Sequence, residues 1–203
     1  LNFLQYITSN DVSVLKPGKV QYTCFPNDSG GIVDDLLLYM LAENNYLLVI
    51  NASNIEKDLA WMNKHNSFGC AIDDQSANYS LLAVQGPKST QLLEELTDVN
   101  LSDIKYYHFQ IGLISGVENV ILSRTGYTGE LGFELYVKNE YVRVIWDSLF
   151  STSIQIKPIG LAARDTLRLE KGFCLYGNDI NENTSPIEAG LGWITKFTKK
   201  FIN

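Results

Sequence analysis

Residues 19–41 read KVQYTCFPNDSGGIVDDLLLYML, two apolar runs separated by Asn27, Asp28, Ser29, Gly30 and Gly31. Aromatic and β-branched residues suit a pleated, half-buried surface, and Asn, Asp, Ser and Gly supply the backbone angles of tight turns. The stretch therefore reads as a β-hairpin, entered through the turn Lys16-Pro17-Gly18. A connection this short joins antiparallel strands, because parallel ones need a long crossover.

Working outward, YLLVI at 46–50 is a third strand. Ser53 and Glu56 have the spacing of a capping box, which predicts a helix from Ser53 to about His65. Upstream, Leu1, Leu4 and Ile7 fall on one helical face. Downstream, LLAVQ is a strand ending at Gly86-Pro87, with Pro87 suited to the first position of a helix through KSTQLLEEL. VENVILS and GFELYV form a second hairpin around RTGYTGELG. Asn139 is placed to cap a helix through EYVRVIWDSLF, and LAARDTLRLEK is a helix that Gly172 terminates. Strands pair with near neighbours rather than alternating strictly with helices, so the fold class is α+β with antiparallel sheets and packed helices, not a doubly wound sheet. The polar stretch IDDQSANYS at 72–80 is the expected boundary between two α+β subdomains, 1–75 and 76–203. The start at Leu1 and the uncapped end KFTKKFIN read as a segment of a longer protein.

Composition narrows the function classes. With 203 residues, 45% hydrophobic and 19% charged, the chain has material for a real core, and a net charge of -7 argues against a nucleic-acid surface. Lys199-Lys200 is the one tight basic group. Cys24, Cys70 and Cys174 lack C-x-x-C spacing and read as reduced, buried thiols; with His65 and His108 far apart, no metal site is expected. No secretory signal or long apolar run is present, so neither a membrane span nor secretion is expected.

The adjacent carboxylates Asp34 and Asp35 stand at the mouth of an apolar strand. Strict alternation groups Asp34 with Ile32, Leu36 and Leu38, and Asp35 with Val33, Leu37 and Tyr39. One of the two then faces apolar packing, where a carboxylate is costly unless paired, protonated or lining a wet pocket. The alternative is that both sit at an exposed first turn, and periodicity does not say which Asp matters. Glu134 and Tyr136 share a face of GFELYV, the arrangement of a solvent-facing acid on a half-exposed strand. Asp165 and Arg168 have the spacing of a surface ion pair, whereas Arg164 near a helix start calls for an acidic partner or an anionic ligand. Tyr127, between two glycines, is available to pack on a planar ligand or on the sheet. RTGYTGELG has neither the dinucleotide nor the Walker spacing, so nucleotide binding is not expected.

GGIVDD, VINASNIEKD, LAVQGP, SRTGYTGELGFEL, GLAARDTLRLEKGFCLYGND and SPIEAGLGW, in this order and at these gaps, resemble the T-protein family of the glycine cleavage system, tetrahydrofolate-dependent aminomethyltransferases. The resemblance runs from Leu1 to about Lys200. It implies part of a three-domain cloverleaf around a folate cavity, without the family's N-terminal stretch and C-terminal barrel. It implies transfer of a methylene unit from aminomethyl-lipoyl H-protein to tetrahydrofolate with release of ammonia. It makes Asp35 the catalytic carboxylate, Glu134 the acceptor for the pterin edge, and Tyr22, Tyr39, Asn51, Tyr127 and Arg164 the folate-binding residues. Tetrahydrofolate is the expected acceptor, without a metal. Lipoylated H-protein is the expected partner, and the cytoplasm, or the mitochondrial matrix of a eukaryote, the expected location. Leu131-Gly132 departs from the acid-Gly pair frequent after T-G-E. Two further readings are a demethylating folate domain fused to a flavoprotein and a non-catalytic folate-binding scaffold. Lys171-Gly172-Phe173-Cys174 lacks the G-Q-E continuation typical of the scaffold.

Overall fold

The computed structural model describes residues 1–203. The chain forms two compact units, one built from Leu1–Asp74 with Cys174–Asn203 and the other from Gln75–Phe173. No helix is long and apolar enough to cross a membrane.

In the first unit, helix α1 (Asn2–Ile7) precedes strands β1 (Val20–Pro26), β2 (Ile32–Ala42) and β3 (Asn45–Val49), which form an antiparallel sheet in that order. The hairpin expected at 19–41 is present, with Tyr22 opposite Leu37 and Cys24 opposite Asp35. Its turn is held by the Asn27 side chain, whose Oδ1 accepts from the amides of Ser29 and Gly31. Gly30 takes φ +80°, the region where glycine carries no steric penalty.

A β-bulge interrupts the register between Phe25 and Pro26, opposite Ile32 and Asp34. A bulge adds one residue to one strand and resets which side chains share a face. Ile32 consequently packs with Cys24, Ile180, Leu191 and Ile194, while Val33, Leu36 and Leu38 pack with Phe25, Ile7 and Met62. Strict alternation, which grouped Ile32 with Leu36 and Leu38, fails here for that reason. Helix α2 (Ile55–His65) lies on the Phe25 side through Met62. Its start differs from the expected one: Ala52–Asn54 forms a 3-10 turn, and Asn54 occupies the N-cap without a side-chain capping bond. Ser53 therefore does not cap the helix.

In the second unit, strands β4 (Tyr79–Gln85), β5 (Phe109–Ile114), β6 (Val117–Ser123) and β7 (Gly132–Lys138) form an antiparallel sheet in the order β4-β7-β6-β5. The hairpin of β6 and β7 is present, but it pairs only Ile121–Ser123 with Glu134–Tyr136, and β7 is laddered along its whole length by β4. Strand β5 was not anticipated, because Gly112 interrupts its apolar pattern. It turns into β6 through Ser115 and Gly116, both at positive φ, as the tight turns of twisted hairpins require. Leu92, Leu101, Val120, Leu122, Phe133, Leu135 and Ile145 form the core of this unit.

The helices here are α3 (Ser89–Glu94), α4 (Val142–Leu149) and α5 (Leu161–Glu170). Pro87 precedes α3 rather than opening it. Asn139 begins a 3-10 turn ahead of α4, and its side chain is used elsewhere, donating to the Ala77 carbonyl and accepting from the Ser80 hydroxyl. Helix α5 ends as expected: Gly172 has φ +71°, and the amides of Gly172 and Phe173 turn back to the carbonyls of Leu169 and Arg168. Arg168 is not a surface residue. It is only 4% exposed, and it donates to Asp165 at 2.8 Å and to the Phe173 carbonyl at 3.0 Å.

Candidate functional site

The two units each carry a buried carboxylate site. In the first, the packing of Leu36 and Leu38 with Phe25 and Met62 settles which face of β2 is the inner one. Asp34 follows Leu36 and Leu38 into the packed side and is fully buried, while Asp35 is partly exposed on the opposite face beside Tyr22.

Asp34 is fully supplied with amide donors. The Asn51 side-chain amide donates to its Oδ1 at 2.8 Å and that of Asn54 at 3.0 Å, and the Asn51 backbone N–H reaches Oδ2 at 3.4 Å. Asn51 also donates to Asp35, with Nδ2 3.1 Å from Oδ1 and 3.2 Å from the backbone carbonyl. One amide thus ties both carboxyls to the loop after β3. The second oxygen of Asp35 accepts the Tyr22 phenol at 2.8 Å. Burial raises the pKa of Asp35 above the ordinary carboxylate range. The Tyr22 and Asn51 hydrogen bonds oppose that shift, and the charge of Asp34 adds to it. Burial also holds the Tyr22 phenol far above its ordinary value, helped by the Asp35 charge, so it remains a donor.

Around this centre, the Trp193 ring lies 6.0 Å from that of Tyr22 and is 62% exposed. Lys57 donates to the Val33 carbonyl at 2.5 Å and stands 4.0 Å over the Tyr176 ring, and Tyr176 donates to the Ile32 carbonyl at 3.2 Å. These contacts fix the start of β2, where the aspartates sit. Tyr39, expected in a folate site, is fully buried between Val20 and Leu47 in the sheet, so its side chain presents no surface to a ligand.

In the second unit, Glu134 on β7 is half-buried rather than solvent-facing. Its Oε2 accepts from Thr125 at 2.5 Å and from the Tyr136 phenol at 3.5 Å. Burial raises its pKa, while the Thr125 bond and the positive charge of Arg164 pull it back. Arg164 therefore has the acidic neighbour that its position on α5 called for. Its guanidinium also lies 4.4 Å over the Tyr127 ring, which stacks on Phe173 at 5.9 Å. Beside Thr125 and Phe173 a cavity of about 500 Å³ is lined further by Tyr106, Arg124, Glu130 and Lys171. A half-buried carboxylate beside a half-buried aromatic and a cation is suited to a planar ligand carrying N–H donors.

The residues picked from the sequence thus fall into two groups: Tyr22, Asp35 and Asn51 in one unit, and Tyr127, Glu134 and Arg164 in the other. Sequence reasoning passed over Asn54, Lys57, Asp58, Tyr176 and Trp193. The signal for Asn54 and Asp58 was available, since residues four apart share a helical face, and that face meets β2 at Asp34. Of the thiols expected to be buried, Cys24 is, but Cys174 is only half-buried and Cys70 is exposed. No three His, Cys, Asp or Glu side chains cluster in a way that would hold a metal ion.

Residues 1–199 match the family described as the GCVT N-terminal domain. The chain is 60% identical over its whole length to an aminomethyltransferase of Bacteroides fragilis and 58% identical to one of Flavobacterium psychrophilum, covering 57% of each. It therefore spans a little over half the length of these curated relatives. A crystal structure of the glycine cleavage system aminomethyltransferase T from Bartonella henselae superposes with a TM-score of 0.87 at 34% identity, over 99% of this chain and 55% of that one. Its antiparallel sheets, its paired carboxylates and these matches lead to one conclusion: the chain belongs to the GCVT N-terminal domain family.

Proposed function

We propose that the protein containing this chain is the aminomethyltransferase of the glycine cleavage system, passing a methylene unit from aminomethyl-lipoyl H-protein to tetrahydrofolate. In that reaction the C–S and C–N bonds of the aminomethyl thioether break, ammonia leaves, the lipoyl thiol is restored and two C–N bonds to folate form. Tetrahydrofolate supplies the nitrogens that accept the carbon. The observation that carries the reading is Asp35, a partly exposed carboxylate of raised pKa whose two oxygens are oriented by Tyr22 and Asn51.

A carboxylate held this way acts through position and charge. It stabilises positive charge developing at the reacting carbon and nitrogen, and its raised pKa suits it to holding the proton exchanged as ammonia departs. Glu134 serves binding, accepting from the N–H donors of a pterin edge, with Tyr127 offering a ring to stack on and Arg164 keeping Glu134 ionised. Trp193, exposed next to Tyr22, adds an apolar wall to the Asp35 site. Lipoylated H-protein is the partner and the cytoplasm the setting in this reading.

The test is formation of methylenetetrahydrofolate and ammonia by the intact protein, supplied with aminomethyl-loaded H-protein and tetrahydrofolate, with Asp35→Asn run alongside. Turnover that depends on Asp35 is the expected result. An inert wild-type protein that still binds folate would overturn the assignment.

A further inference from the structure

Asp58 has no part in the chemistry above, yet its position is unusual. It lies on the first turn of α2, is fully buried, and neither of its carboxyl oxygens meets a hydrogen-bond donor. An ionised carboxylate in that state would be among the most costly groups in the chain. Its carboxyl faces that of Asp34, which accepts the side-chain amide of Asn54, four residues before Asp58 on the same helical face, and two carboxyls bond each other only when a proton sits between them. Asp34 is already committed as an acceptor, taking the amides of Asn51 and Asn54. The proton therefore belongs on Asp58.

We propose that Asp58 is a neutral carboxylic acid that donates its O–H to Asp34, and that through Asp34 and Asn51 it positions the carboxylate of Asp35. The relay is continuous: Asp58 to Asp34, Asp34 to the Asn51 amide at 2.8 Å, and the same amide to Asp35 at 3.1 Å. With Asp58 protonated, it adds no charge of its own to the pair of carboxyls beside it. The other charged groups facing Asp58 agree with this state. Asp34 and Asp35 both disfavour a further anion, and Lys57, which would favour one, is spent on the Val33 carbonyl and the Tyr176 ring. Burial first, and then the Asp34 contact, push Asp58 up to about 9.

Asp58 is a positioning residue in this account, acting on Asp35 through others, and that part rests on the proposed role of Asp35. Its protonation is tested without any substrate. Infrared spectra of the intact protein at pH 7 are expected to contain a carboxylic-acid C=O band that is missing in Asp58→Asn and bleaches in the wild type as the pH passes about 9. No acid band at pH 7, or one that survives Asp58→Asn, overturns the assignment whatever reaction the protein catalyses. The relay has its own readout in transfer assays. Asp58→Ala removes the donor to Asp34 and is expected to lower kcat about tenfold or more with little change in KM, the range of a lost hydrogen bond to a charged group. Asp58→Asn keeps an N–H donor in the same place and should restore most of that loss. Equal losses in the two variants, or a change in KM alone, would sink the positioning role while leaving both the protonation result and the transferase reading standing.

Discussion

Tyr22 donates its phenolic O–H to the Oδ2 oxygen of Asp35 across 2.8 Å, from the strand that pairs with the one carrying the aspartates. The bond favours the ionised form of a carboxyl that burial pushes toward neutrality. Tyr22→Phe removes it and leaves the ring. The pKa of Asp35 should then rise further, because a hydrogen bond that favours its ionised form is lost. An activity that needs the ionised carboxylate will lose its acid limb at correspondingly higher pH, with small losses at the alkaline end. A uniform drop at all pH values would mean that Tyr22 acts on the ligand instead.

Asp35→Asn keeps the shape and the Tyr22 contact but removes the charge. Stabilisation exerted only on developing charge is lost from kcat and not from ground-state binding. Transfer should fall by about a hundredfold or more, in the range seen when a preorganised electrostatic group is removed. Folate affinity, measured by titration calorimetry, should stay within a few fold. Parallel losses in both would assign Asp35 to binding.

Glu134→Ala should do the reverse, weakening folate binding by about tenfold or more before turnover at saturation suffers, since a carboxylate paired to N–H donors contributes mainly to affinity. Arg164→Met removes the positive charge that holds the Glu134 pKa down. Folate binding by that variant should therefore fade at a higher pH on acidification than in the wild type. Unchanged affinity in Glu134→Ala would return Glu134 to the role of a sheet residue.

Gly31 has no room for a side chain, because a Cβ there would stand 1.8 Å from the backbone oxygen of Glu182. Backbone cannot swing aside as a flexible side chain does, so Gly31→Ala must separate the hairpin turn from the segment after Cys174. The expected cost is about 2 to 4 kcal/mol in denaturant unfolding, typical of forced overpacking. Gly30→Ala, in open space but at φ +80°, should cost only about 1 kcal/mol. Equal effects would mean that the turn does not rest on residue 182.

The buried Asp58 also makes stability depend on pH. Its folded pKa, about 9, lies above the 3.8 of a free carboxyl, so over that range the folded chain holds a proton that the unfolded chain has released. Its contribution is complete below about pH 3.8 and is lost as the pH climbs to about 9. Asp58→Asn does not titrate, and its melting temperature should exceed that of the wild type at pH 8 by several degrees, with the gap closing toward pH 4. A gap that widens on acidification would mean that Asp58 is ionised in the fold.

The sequence by itself determined the local architecture and the identity of the acids. Turn residues at 27–31 and strand-forming runs on either side specify a hairpin whatever surrounds them, and Gly172 ends α5 because a left-handed residue is needed there. The ordered motifs carried Asp35, Glu134 and Arg164. Tertiary structure decided the rest. Alternation left Asp34 and Asp35 indistinguishable because a period of two has no sense of inside, and the bulge opposite Asp34 moved only Ile32 to the other face. The packing of Leu36 and Leu38 with Phe25 and Met62 then buried Asp34, and the opposite face left Asp35 partly exposed beside Tyr22. Strand β5 was hidden because Gly112 blanks the pattern, and only the neighbouring strand supplies its partner. Nothing in the local pattern marks Asp58 as buried, because its burial depends on where α2 lands on the sheet. That placement arises from side chains brought together from distant parts of the chain, which no local pattern encodes.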